Sequence, residues 1–249
     1  MILRSVMRHV RDQNWFAVGI DFLIVIVGVF IGIQVANWND ARLDRQLEQV
    51  FLQALVEDVR QDAVDMATTI AVETSRISAL DHLIVHATGN PLPTGFESAR
   101  GRVEIVEYPP YALDDPFDVG YTLFIMNSVP SRRAAYDTII NAGGLELIRD
   151  PGLVSEIQEY YARVDSISGF SEVMQLTRQR FVEAQRQAGI SPVDMPSMDQ
   201  LVTLFASDAS MTAAAKEYWL FTNFHLRLLH HHQTAAQHFA TLLEGGLAP

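Results

Sequence analysis

Three groups of side chains in this sequence have the types and spacing for chemistry. The first is a single carboxylate, Asp21, set in the run from Trp15 to Trp38. Between those tryptophans only Asp21, Gln34 and Asn37 are polar. An ionisable group in hydrocarbon costs a few kcal/mol, so it faces a partner helix or a wet cavity. The second group is His225, His230, His231, His232 and His238, five of the eight histidines. Chelation on one helix needs i,i+3 or i,i+4 pairs, and none of these five stands at that spacing. His225 with His232, and His231 with His238, lie two turns apart, about 10 Å, too far to share one ion unless another helix bridges them. No metal or other cofactor is therefore expected, and solvated or capping histidines are the plainer reading. The third group is Asp114, Asp115 and Asp118 near Tyr108, Tyr111 and Tyr121. It reads as a cation or basic-ligand site, or more simply as a solvated acidic turn, since no EF-hand spacing is present.

No phosphate-binding glycine loop, G-x-S-x-G elbow or H-E-x-x-H pair occurs, so no enzyme is expected. The chain contains no cysteine, which excludes disulfides, thiolate metal sites and cysteine nucleophiles. Its 30 acidic and 18 basic residues leave a formal charge of -12. An acidic chain without a basic stripe argues against nucleic-acid binding, which requires clustered positive charge.

The elements that must hold these groups follow from periodicity. The run 15–38 is long and apolar enough to cross a bilayer as a helix, with Trp15 and Trp38 at the two headgroup levels. Asp21, Val25, Gly28, Gly32 and Val35 share one face, and at 100° per residue Gly28 and Gly32 fall within about 20° of Asp21. Gly28-x-x-x-Gly32 is a spacing that lets two helices approach closely. This predicts a contact face of Asp21, Val25, Gly28 and Gly32, and a homo-oligomer or a membrane-protein partner. Residues 1–14 form a short basic amphipathic segment, with Arg4, Arg8 and Arg11 against Asp12. The positive-inside rule then places the N-terminus in the cytoplasm and the bulk of the chain, 39–249, outside it. A cleaved signal peptide is the competing reading, and the length of the apolar run argues against it.

Beyond Trp38 the three- and four-residue spacing continues to Thr88, where Gly89-Asn90-Pro91 ends the helix. Residues 89–130 are rich in proline and glycine and read as a long surface loop; Arg102–Tyr108 has strand character but no obvious partner. Ser131 is the expected cap of a helix closed by Gly143-Gly144. Asp150-Pro151 starts another helix, and Ser197 with Gln200 forms a capping box. The last helix runs from about Met211 to Leu243. The expected fold is mainly α: one N-terminal transmembrane helix continuing into a helical bundle, with the Pro/Gly-rich loop region at 89–130.

The segment VGIDFLIVIVGVFIGIQVANWND, with Gly19 and Asp21 early and Asn37-Trp38-Asn39 at its close, resembles a family of uncharacterised bacterial single-pass membrane proteins. The run AAYDTIINAGGLELIRDPGLVSEIQEYYARV resembles the same family, with Ala142-Gly143 where Ser-Gly is usual. The resemblance implies a bacterial inner-membrane topology and no defined chemistry. The sequence thus leaves three functional readings: association through the membrane helix; an ion-driven, stator-like subunit using Asp21 as an intramembrane carboxylate; and a small-molecule sensor.

Overall fold

The computed structural model describes residues 15–99, 101–112, 119–124, 132–194 and 196–247. The basic segment 1–14, the acidic cluster Asp114, Asp115 and Asp118, and the expected cap Ser131 lie outside the described residues, as does the side chain of Tyr121. The chain is mainly α. Helix α1 spans Trp15–Thr88, β1 Gly95–Ser98, β2 Gly101–Glu104, α2 Val119–Phe124, α3 Ala134–Asn141, α4 Pro151–Gln187, α5 Met198–Ser207 and α6 Ala209–Gly246. Two compact units divide the chain, Met1–Val50 and Phe51–Pro249.

In the first unit, every described side chain from Val18 to Asp40 is exposed. Apart from Asp21, Gln34, Asn37, Asn39 and Asp40 these side chains are apolar and lie on every side of the helix. This one helix is long and apolar enough to cross a membrane. The second unit buries its apolar faces in two clusters. In one, Leu52, Leu55, Val59 and Met66 of α1 meet Ile139 of α3, Ile157 and Tyr160 of α4, and Phe239 and Leu243 of α6. In the other, Ile77, Leu80 and Ile84 of α1 meet Phe124, Phe181, Leu201, Phe205, Tyr218 and Leu226. On α1 the two clusters are separated by Thr69, Glu73 and Arg76, all buried.

The caps account for most of the helix ends. Gly89 takes the left-handed conformation after α1, with φ 68°, which a residue bearing a Cβ adopts only at a cost. The Asp150 side chain accepts from the Gly152 amide with Pro151 at N1, and Ser197 and Gln200 form the reciprocal capping box. The cap of α3 departs from expectation. Its N-cap position is Arg133, with no side-chain cap of its own. Asp58 and Asp62 reach across from α1 instead: Asp58 Oδ2 accepts from the Ala135 amide at 3.1 Å and Asp62 Oδ1 from the Arg132 amide at 3.0 Å.

The described residues of the region 89–130 also differ from a surface excursion. Strands β1 and β2 pair antiparallel, Phe96 opposite Val103, so the Arg102 segment has a partner after all. Ile105, Val106, Tyr108 and Tyr111 pack against the core, and Thr122, Leu123 and Phe124 are buried. Short-range patterning does not register this, because the burial comes from α1 and α6, far away in sequence.

Candidate functional site

The residues of the predicted membrane face all lie on α1. Asp21, Val25, Gly28 and Gly32 are exposed, and a Cβ built on Gly28 or Gly32 would meet nothing within 4 Å. Trp38 is exposed at the far end of the run, and the Trp15 side chain is outside the described residues.

The histidines divide. His231 and His238 point outward; His238 lines a shallow depression with Asp150, Glu156 and Leu242. His225 and His232 are buried, and each meets a different acid-bearing level of α1. Among the described residues no group of three or more His, Cys, Asp or Glu side chains is placed to hold a metal.

The buried levels escaped the sequence reading. On the apolar stripe of α1 running through Leu55, Val59, Met66 and Ile77, the positions 62 and 73 carry Asp and Glu. A carboxylate on a buried stripe is a legible signal, because a charge leaves water only with partners. At the first level the Glu73 carboxylate bonds the Arg76 guanidinium, both groups fully buried. Arg76 Nε donates to the Thr122 carbonyl at 2.7 Å, and the guanidinium lies 5.9 Å from the Tyr218 ring centroid. His225 Nδ1 is 3.3 Å from Glu73 Oε1, and its ring stacks on Phe170 at 5.9 Å. Burial by itself pushes the Glu73 carboxyl up, but Arg76 and His225 together hold it well below the usual carboxylate range. Burial pushes the Tyr218 hydroxyl up to about 12.

At the second level Tyr160 donates to Asp62 Oδ2 at 3.3 Å, and the His232 ring stacks on Tyr160 at 5.2 Å. Tyr136 and Tyr161 stack at 4.0 Å beside them. Burial raises the Asp62 carboxyl to about 6, against the Arg132 amide and the Tyr160 hydroxyl, which favour its charged form. Burial lowers His232 to about 4, with Arg163 and His231 adding to the effect. Polar contacts tie α1 to α6 at the first level and α1 to α4 at the second, and ring stacking on Phe170 and on Tyr160 brings in the third helix at each. The sequence reading also overlooked His82 and His86, an i,i+4 pair on α1 whose rings stack at 3.9 Å beside Tyr111.

An open groove of about 1000 Å³ runs between α4 and α6, with Arg178, Arg180, Arg186, Glu183 and Glu217 on its walls. Two of its guanidinium groups are already paired, Arg180 with Glu217 at 2.5 Å and Arg186 with Glu183 at 3.1 Å.

Helix α1 thus carries both the exposed apolar face and the buried carboxylates. Residues 21–87 match a family of unknown function (DUF6090). The match begins at Asp21 and ends one residue before the end of α1. The match does not extend to residues 134–164. No curated protein and no solved structure matches the chain.

Proposed function

We propose that this protein is a single-pass, membrane-anchored helical body that acts by association through its spanning helix. The observation that supports this reading is the face of Asp21, Val25, Gly28 and Gly32, wholly exposed and with open space at both glycines. In lipid, helices gain little from apolar contact alone, and small residues that admit a close neighbour are what favours pairing. The bacterial inner membrane, a cytoplasmic N-terminus and a periplasmic body complete the proposal, on the charge balance at the two ends of the span. The test is co-purification of the tagged full-length chain from native membranes. Gly28→Leu with Gly32→Leu is expected to remove the proteins that co-purify, whether second copies or others. An unchanged set would sink the reading. Asp21→Asn separates the stator-like alternative, in which the carboxylate carries protons: that reading expects loss of function with association intact.

A second reading, a sensor, is favoured by the groove between α4 and α6, whose volume is in the range of small-molecule sites. A ligand that binds there raises the thermal midpoint of the detergent-solubilised chain, and Arg178→Ala is expected to abolish that rise.

A further inference from the structure

The contact face in the span does not stop at the membrane boundary. Residues 39–50 of α1 carry three large apolar side chains, Leu43, Leu47 and Val50, and these are 50%, 46% and 58% exposed. At 100° per residue from Asp21 they lie at about +40°, +80° and +20°. They therefore continue the side of the helix that carries Val25, Gly28, Gly32 and Ala36. The steps from Val25 through 28, 32, 36, 39, 43 and 47 to Val50 are spaced three, four, four and again three, four, four, three. Their mean is about 3.6 residues, so the stripe stays on one side of an undistorted helix and needs no tight supercoil. Outside lipid that side carries Leu43, Leu47 and Val50 interspersed with Asn39 and Gln46, and the hydrophobic effect drives burial of its apolar side chains.

The charges beside the stripe select the occupant. From the same origin Asp40, Asp44 and Glu48 lie at about +100°, +140° and 180°, on one flank. Arg42 and Arg45 lie at about -60° and -120°, on the other. None of Asp40, Asp44, Arg42 and Arg45 has an ion-pair partner among the described residues. When two identical helices pack in parallel about a two-fold axis, the left flank of one meets the right flank of the other. The acidic flank of each copy then faces Arg42 of its partner. An antiparallel pair would set acid against acid, and insertion of the span in one orientation forbids it as well.

We infer that the partner is a second copy of this chain, packed in parallel along one continuous stripe from Asp21 to Val50. Eight turns of helix, roughly 45 Å, lie in that contact. The inference rests on the association reading above and goes further, since it names the partner, the orientation and the extent.

The absence of cysteine from the chain makes the test direct. Single cysteines are placed at each position from 39 to 50 of the full-length protein, and native-membrane vesicles are oxidised. Disulfide-linked dimers are expected to peak at Leu43→Cys, Leu47→Cys and Val50→Cys. Ala41→Cys and Arg45→Cys, on the far side, should give at least about five-fold less. Arg42→Asp should lower the Leu47→Cys yield, and adding Asp40→Arg with Asp44→Arg should restore it. All these positions are exposed except the half-buried Ala41 and Glu48, and helical circular dichroism of each variant confirms the fold. A yield without helical periodicity, or no dimer at any position, overturns the inference. Cross-links to a protein of different mass overturn the second copy while leaving the association reading in place.

Discussion

Two buried ionisable side chains, Asp62 at the hydroxyl of Tyr160 and His232 against its ring, oppose each other in their dependence on pH. The Asp62 carboxyl is raised to about 6 from an ordinary 3.8. Its contribution to stability is therefore complete below about pH 4 and is lost as pH rises through 6. His232 is lowered to about 4 from 6.5, so its contribution is complete above pH 6.5 and is lost as pH falls through 4. Between those limits the slopes oppose each other, each at most about 1.4 kcal/mol per pH unit and less where solvent screens the group. Asp62→Asn leaves the histidine slope uncovered. Urea midpoints of that variant should rise from about pH 4.5 to 6.5 more steeply than those of the native chain; parallel curves would refute the assignment. Glu73 and Arg76 set a second test. Arg76→Leu strands a buried carboxylate and should cost about 3–5 kcal/mol, whereas Glu73→Leu with Arg76→Leu should recover much of that loss. Chemical denaturation of the single and double variants measures the difference.

At the scale of elements, the unusual feature is a helix capped by another helix. The Ala135 amide of α3 and the Arg132 amide before the helix are satisfied by Asp58 and Asp62 of α1, 77 and 70 residues upstream in the chain. A cap supplied in this way also docks the helix. Asp58→Ala is expected to cost about 0.5–2 kcal/mol, the usual range for a lost cap. The loss should show as faster amide exchange at Ala135 rather than over the whole body. The turn after α3 is constrained in a different way. A Cβ on Gly144 would lie 2.6 Å from Phe51 Cε2, so Gly144→Ala forces the ring aside. That change should lower stability by about 1–3 kcal/mol, as overpacking does, and Phe51→Leu in the same chain should relieve part of it.

For the whole molecule, the division at Phe51 is the feature that can be tested. Both apolar clusters and both polar levels are built from residues 51 onward. A chain beginning at Phe51 is expected to stay helical by circular dichroism and to remain soluble without detergent, while the full chain requires it. Aggregation of the shorter chain would show that the body needs residues 15–50 to fold.

The sequence by itself determined the apolar run, the face of Asp21, Gly28 and Gly32, the end of α1 at Gly89, the Asp150-Pro151 start and the Ser197–Gln200 box. These are local: three- and four-residue periodicity and single-residue caps act within one or two turns, and nothing distant overrides them. Tertiary structure decided the rest. It drew Tyr108 and Thr122 out of an apparent surface loop and into the core, because α1 and α6 offer bonding partners from more than a hundred residues away in the case of Trp219. It also divided the histidines, turning His225 toward Glu73 and His232 toward Tyr160 while leaving His231 and His238 in water. Helical spacing places residues on a face. Which face is covered, and by which acid, depends on the packing of α1, α4 and α6, and that is a property of the assembled body rather than of any one segment.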